Sequence, residues 1–329
     1  MEIKPTAALQ VVGHRWAIEL LSRQIERDHI PQALLIAGPQ HVGKSTLARY
    51  LAQRLNCQGA DRPCGYCVSC RKIVSGNHPD VRIFDQDDEP IKIEQVRELQ
   101  RELALSPHES PFRVVLLCNF ERATTSAANA LLKTLEEPAG PAVLILTATD
   151  PGKLLPTIVS RCQLLTLRPL PQPEILAALQ ARWHASPPQA ELLAQLAAGR
   201  LGWAVRALTD DDFLARREQR WQELLNLLGQ SRAERLAYAH QLSRDLNAIK
   251  ELLALWLTIW RDLLLVQNSS QARLINLDWQ QSLARLAGQV QLNQTIATLT
   301  SLRRALKNLE HNVNPRLNLE LVLLRLPVC

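Results

Sequence analysis

Ala33-Leu34-Leu35-Ile36-Ala37-Gly38-Pro39-Gln40-His41-Val42-Gly43-Lys44-Ser45-Thr46-Leu47-Ala48-Arg49-Tyr50-Leu51 decides the architecture of this chain. The apolar run to Ala37 reads as a buried strand. Gly38 to Ser45 fits G-x-x-x-x-G-K-[ST], a phosphate-binding loop, and Thr46 to Leu51 reads as the helix after it. That strand–loop–helix context is what the motif requires. Glycines let backbone N–H groups approach phosphates, and the helix adds its positive N-terminal end. Gly38, Gly43, Lys44, Ser45 and Thr46 are therefore the candidate nucleotide-binding residues. Lys44 would reach the β- and γ-phosphates and Ser45 would ligate Mg2+. The competing reading is a vestigial loop that holds nothing.

Hydrolysis needs more than this loop. A carboxylate at the end of a second strand holds the metal and orients water. The best candidate strand, Val114 to Leu117, runs into Cys118-Asn119. Glu121 lies two or more residues past the strand end and would need a shift of register to reach a metal. The residues are suited to holding a nucleotide and poorly suited to cleaving one.

Around this centre, short apolar runs alternate with helical patterns up to about residue 167. The candidate strands are Leu34–Ala37, Val81–Phe84, Arg113–Leu117, Val143–Thr147 and Gln163–Leu167, with helices such as Ile93–Leu105 and Ser126–Leu135 between them. Such alternation predicts a parallel sheet covered by helices on both faces. Arg168-Pro169-Leu170-Pro171-Gln172-Pro173 reads as a linker. A small helical zone follows to about Leu208, broken at Gly199-Arg200-Leu201-Gly202. Beyond it the pattern is helical throughout. Leu242, Leu246, Ile249, Leu253, Trp256, Trp260 and Leu263 form one stripe, and Leu292, Ile296, Leu299, Leu302, Leu306 and Leu309 another. Both are expected to be buried faces of packed helices. Asn314 and Pro315 are suited to cap and start the last helix. The expected domains are 1–167 (α/β, nucleotide-binding), 168–208 (small, helical) and 209–329 (helical).

The 329 residues carry a net charge of +6, which permits contact with nucleic acid. The seven Trp are scattered, so no base-stacking surface is indicated. Met1-Glu2-Ile3-Lys4-Pro5 has no apolar core of a signal peptide. The apolar stretch Leu252 to Trp260 is too short to span a bilayer. A soluble, cytoplasmic protein without a membrane role is expected.

Four of the seven cysteines cluster as Cys57-x6-Cys64-x2-Cys67-x2-Cys70. Four thiolates close a tetrahedral structural zinc site and leave no open position for catalysis. Free or redox-active thiols are the alternative. Arg161, in Ser160-Arg161-Cys162 before the last strand, is either a solvated charge or an arginine finger for a neighbouring subunit's phosphate.

In order along the chain come Val12-Gly13-His14, the phosphate loop, the cysteine module and Gly76-Asn77-His78-Pro79-Asp80. There follow Asn129-Ala130-Leu131-Leu132-Lys133-Thr134-Leu135-Glu136-Glu137-Pro138, Ser160-Arg161-Cys162 and Asn314-Pro315-Arg316-Leu317-Asn318-Leu319-Glu320. From about Val12 to Leu326 the chain thus resembles clamp-loader subunits of bacterial DNA polymerase III, most closely the delta prime subunits.

The resemblance implies an AAA+ fold with a helical lid (168–208) and a helical collar (209–329). It implies a hetero-pentameric ring with gamma/tau and delta subunits that opens the sliding beta clamp on primer–template DNA. Arg161 would then act in trans on the ATP of an adjacent motor subunit, and Thr149 would sense a γ-phosphate. Motor subunits of the family carry Asp-Glu where Cys118-Asn119 stand, and an Arg near the position of Gly202. Their absence implies a stator that binds ATP or ADP with Mg2+ without hydrolysing it. Delta prime subunits often lack a usable phosphate loop, whereas this chain keeps one. It also ends just after the last helix, without the tail of tau subunits. Two alternatives stand beside this reading: a gamma/tau-type motor that ligates metal through Glu121, and a scaffold without nucleotide.

Overall fold

The computed structural model describes residues 10–85, 89–137, 140–310 and 313–328. The N-terminal residues 1–9, Pro138 of the motif quoted above, and Cys329 lie outside them. The described chain divides into two compact units. One comprises the described residues of Met1–Arg182 with Gly199–Trp203; the other comprises Trp183–Ala198 and Ala204–Cys329.

The first unit is α/β. Its elements are α1 (Arg15–Glu26), β1 (Ala33–Ala37), α2 (Lys44–Asn56), α3 (Val68–Ser75), β2 (Val81–Phe84), α4 (Ile93–Leu103) and β3 (Arg113–Leu117). Then come α5 (Thr125–Glu136), β4 (Ala142–Ala148), α6 (Pro156–Val159), β5 (Gln163–Thr166) and α7 (Gln172–Trp183). The strands are parallel in the order β2-β3-β4-β1-β5, with Leu34 level with Ile145 and Gln163, and Val114 level with Val81 and Val143. Every residue of β1 and β4 is buried, as expected of a parallel sheet covered on both faces.

The strand period of two sorts their side chains into two cores. Leu35, Val115, Leu117, Leu144 and Leu146 pack with Val96, Leu99 and Leu131 of α4 and α5. Leu34, Ile36, Val114, Leu116, Val143 and Ile145 pack with Leu21, Leu47 and Leu51 of α1 and α2. All five expected strands are present, each shifted at an end by no more than one residue. Because β1 lies between β4 and β5, the chain leaves the carboxyl end of β1 at a switch point of the sheet. Open α/β sheets bind ligands at such a point.

The second unit is all helical: α8 (Pro187–Leu196), α9 (Leu201–Thr209, whose first residues belong to the α/β unit), α10 (Phe213–Gly229), α11 (Arg232–Leu242) and α12 (Leu246–Gln267). It continues with α13 (Gln280–Ala287), α14 (Leu292–Glu310) and α15 (Pro315–Leu324). Its core holds Trp221, Trp256 and Trp260 among leucines of α10, α12, α14 and α15. Trp221 stacks on Trp279 with ring centroids 4.9 Å apart. Arg235 is buried. It donates to the carbonyls of Leu227, Leu228, Leu323, Leu326 and Pro327, which close the C-terminal ends of α10 and α15.

Asn314 caps α15 through the Leu317 N–H, with Pro315 at the first helical position, as expected. Both apolar stripes need correction. The first is cut between Leu242 and Leu246, because Asp245 accepts N–H bonds from Asn247 and Ala248 and starts a new helix. Leu246 is exposed. In the second, Leu292 and Ile296 are also exposed, and Thr295 and Thr298 take the buried positions of the first turns, their hydroxyls bonded to Gln291 and Gln294 carbonyls. Pro173 lies in the first turn of α7, not in a linker, since proline is tolerated there. Among the described residues, no helix is long and apolar enough to cross a membrane.

Candidate functional site

The loop Gly38–Ser45 joins β1 to α2 at the carboxyl edge of the sheet. Gly38 and Gly43 both have positive φ (147° and 108°), the conformation the curl of the loop requires. Lys44 is buried and donates to the carbonyls of Gly38 and Pro39, each at 2.8 Å. Burial holds its pKa below the usual lysine value, against the opposing fields of Glu121 and Cys118. His14 braces the loop from outside. Its buried Nε2 donates to the Val42 carbonyl at 3.0 Å, which gives Val12-Gly13-His14 a physical role. The N–H of Gly202 donates to the His41 carbonyl at 2.9 Å. A Cβ at Gly202 would lie 3.0 Å from that oxygen. Any side chain there pushes on the phosphate loop.

The end of β3 holds no acid. Ser45 Oγ donates instead to Cys118 Sγ at 3.7 Å. Burial, and after it the Asp85 carboxylate, push the Cys118 thiol up to about 11, so it is neutral near pH 7. Asn119 takes a left-handed conformation (φ 51°) that starts a 3-10 turn over Phe120–Arg122. The turn brings Glu121 back over the end of β4. There Glu121 Oε1 accepts from the N–H (3.0 Å) and hydroxyl (2.8 Å) of Thr149, and Lys153 Nζ donates to the same hydroxyl at 3.0 Å. Among the described residues, Glu121 Oε2 is buried without a hydrogen-bond partner. Glu121 reaches this edge with β3 in its expected register. Sequence reasoning also passed over Asp85 at the end of β2, which pairs with Arg49 of α2 at 3.1 Å, and Lys153.

The four clustered cysteines converge. Their Sγ atoms all lie within 4.8 Å of one another, with Cys57 and Cys67 at 4.0 Å. Tetrahedral Zn2+ with Zn–S near 2.3 Å needs sulfurs about 3.8 Å apart, so the set fits a metal ion. N–H groups of Gly59 and Cys64 point at Cys57 Sγ, that of Cys67 at Cys64 Sγ and that of Cys70 at Cys67 Sγ. A Cβ at Gly59 would meet Cys64 Sγ at 3.0 Å, so only glycine fits the turn. Burial opposes ionisation of Cys67, but N–H bonds from Cys70 and Gln58 outweigh it and hold this thiol at about 6.

Gly76-Asn77-His78-Pro79-Asp80 fastens this module to the sheet. Asp80 is fully buried and accepts from the N–H groups of His108 (2.6 Å), Glu109 (2.8 Å) and Ser110 (3.1 Å). His78 Nδ1 accepts from the Asp80 N–H, which leaves its Nε2–H for Ser69 or Ser110. Asp80→Ala leaves three inward N–H groups without an acceptor and should cost about 3 kcal/mol in a denaturant melt.

The same buried pair makes the unit acid-sensitive. Burial holds His78 below its ordinary value of 6.5. Below that pH the unfolded chain binds a proton that the folded chain refuses, so stability falls as pH falls. Asp80 is lowered too, its N–H bonds and Arg113 outweighing burial. Its contribution is present above the ordinary aspartate value and is lost below it. Urea midpoints should drop from pH 7.5 to 5, and less so in His78→Gln; equal drops would count against this account.

Arg161 follows α6 on the surface. Its Nε donates to Glu136 Oε1 at 2.6 Å and its Nη1 to the Thr157 carbonyl at 2.8 Å. No hydrogen bond or ion pair among the described residues joins it to the phosphate loop. Thr149 does join the loop's surroundings, through Glu121 and Lys153.

A family model described as "DNA polymerase III, delta subunit" matches residues 13–171. The chain is 32% identical over 302 residues to DNA polymerase III subunit delta' of Bacillus subtilis, covering 90% of this chain and 91% of that one. The chain belongs to the delta' family of DNA polymerase III subunits. The delta' subunit of Pseudomonas aeruginosa is 38% identical over 188 residues, covering 56% of each chain. Subunit tau of Escherichia coli is 35% identical over 214 residues, 63% of this chain but 33% of that one. Among solved structures, a gamma subunit-related protein of Thermotoga maritima aligns over 93% of this chain and 97% of its own, at 19% identity and TM-score 0.43.

Proposed function

We propose that the chain is the stator of the DNA polymerase III clamp loader. In this reading it holds ATP or ADP with Mg2+ at Gly38, Gly43, Lys44, Ser45 and Thr46, does not hydrolyse it, and lends Arg161 to an adjacent motor subunit. Its partners would be the gamma/tau and delta subunits, the sliding clamp and primer–template DNA. Residues 168–208 would act as lid and 209–329 as collar. Cys57, Cys64, Cys67 and Cys70 would hold structural Zn2+.

The contact of Ser45 with Cys118 carries the non-hydrolysing part. Ser45 is the hydroxyl that ligates Mg2+ in such loops, and the residue beside it should be a hard anionic oxygen. A neutral thiol stands there instead. Gly202 supports the same view, because it approaches the loop by backbone and offers no cationic side chain to a γ-phosphate.

One observation favours the motor reading. Glu121 brings a carboxylate with a buried, unpartnered oxygen beside Thr149. The purified chain separates the two. A fluorescent ATP analogue should bind, with affinity falling at least about ten-fold in Lys44→Ala as its phosphate contact is lost. ATP turnover should be absent. Turnover abolished by both Lys44→Ala and Glu121→Gln would establish the motor instead, and no binding at all would leave a scaffold.

A further inference from the structure

We propose that Glu136 is a positioning residue for Arg161; the inference rests on the reading of Arg161 as a finger that acts in trans. An exposed arginine samples many rotamers, and a finger is useful only in the few that reach the neighbour's phosphate. Two contacts restrict Arg161. The Nε and Nη2 edge of its guanidinium faces a single carboxylate oxygen, Oε1 of Glu136, with Nε at 2.6 Å. Nη1 donates to the Thr157 carbonyl at 2.8 Å. Glu136 ends α5 and Thr157 lies in α6, so the anchors come from two separate elements.

A guanidinium has five N–H groups. These contacts occupy one on each nitrogen, so Nη1 and Nη2 each keep one N–H. Two N–H groups on adjacent nitrogens are what a phosphoryl group accepts bidentately. The anchor thus leaves one N–H on each terminal nitrogen for a phosphoryl group.

Glu136 acts here as a splint, not as a competitor for the charge. Both partners are partly exposed, Arg161 34% and Glu136 49%. An ion pair so exposed is weak. It biases the rotamer of Arg161 but does not withhold the arginine from a phosphate. Glu136 belongs to the stretch Leu131-Leu132-Lys133-Thr134-Leu135-Glu136, whose buried Leu131 and Leu135 fix the helix to the sheet core. The splint therefore stands on a rigid support.

The test is a clamp-loader assembly reconstituted with Glu136→Ala, Glu136→Gln, Arg161→Ala or Glu136→Ala with Arg161→Ala, measuring single-turnover ATP hydrolysis at the site facing this chain. Glu136→Ala should lower the rate about ten-fold with KM for ATP unchanged. Glu136→Gln should retain most of the rate, because its amide oxygen still accepts from Nε. The double variant should match Arg161→Ala, and the Tm of the chain should not move. A rate unchanged or raised by Glu136→Ala, or a further loss in the double variant, overturns the positioning role alone. An Arg161→Ala variant without effect removes the finger reading and the positioning role with it.

Discussion

Arg161→Ala in a reconstituted assembly should slow ATP hydrolysis at one neighbouring site by about 1,000-fold, the low end of what an arginine finger contributes. The size comes from charge. The transition state of phosphoryl transfer spreads negative charge over the transferred group, and a guanidinium in a water-poor interface meets it at little reorganisation cost. The effect should be confined to the site this chain faces. A single-turnover trace should split into a fast fraction and a fraction that barely reacts, whereas uniform slowing would indicate loss of assembly. This chain's own site, with Cys118 beside Ser45, would contribute nothing to either fraction. The variant should fold normally, since Arg161 is exposed and, among the described residues, pairs with no charged group but Glu136. Intact single-turnover behaviour at every site would remove the trans role.

Much of this site is legible in the sequence because it is local. Gly38 to Ser45 must curl in one way, and β1 and α2 on either side follow from an apolar run and a helical period. The missing acid is legible too, because a strand end can be located to within a residue. The surroundings of Lys44 are harder to read. Glu121, which acts on Lys44, and Asp85, which acts on Cys118, come from segments that the order β2-β3-β4-β1 brings to this edge and that no spacing reveals. The place of Glu121 has a local cause that spacing does not show: Asn119 adopts a left-handed turn that bends the chain back toward Thr149. Periodicity failed differently in the helical unit. Leu242 and Leu246 keep the four-residue spacing across the break that Asp245 imposes, and a spacing rule does not register a capped helix start. Thr295 and Thr298 are buried because their hydroxyls bond within their own helix, so polarity alone misplaces them on the surface.

With Zn2+ held as proposed by the cysteine module, its removal should leave the sheet folded and melt the segment around it. Residues 57–67 contain no helix or strand, and the eight-residue α3 is too short to persist alone in water. What fixes this segment is sulfur. Cys57 follows the last residue of α2, Cys67 caps α3 by accepting the Cys70 N–H, and Cys70 sits inside α3. Other ties join it to the rest of the unit: Gln53 donates to the Cys70 carbonyl, Arg54 donates to the Arg62 carbonyl, Lys72 pairs with Glu109, Ser69 meets His78, and Ile73 enters the core beside α2. Structural zinc supplies about 10–16 kcal/mol to the folding of small zinc peptides. Here the α/β core needs none of it, so its loss should appear as local opening, not global unfolding. Treatment with a strong chelator under reducing conditions should release about one Zn2+ per chain. Amide exchange should rise sharply across residues 57–75, and a protease should cut between Gln58 and Tyr66. The amides of β1, β3 and β4 should stay protected. Because His78 and Asp80 join α3 to the loop at His108–Ser110, exchange there should rise next, by a smaller factor. Protection of residues 57–75 that survives the chelator would mean that hydrogen bonds alone order the cluster.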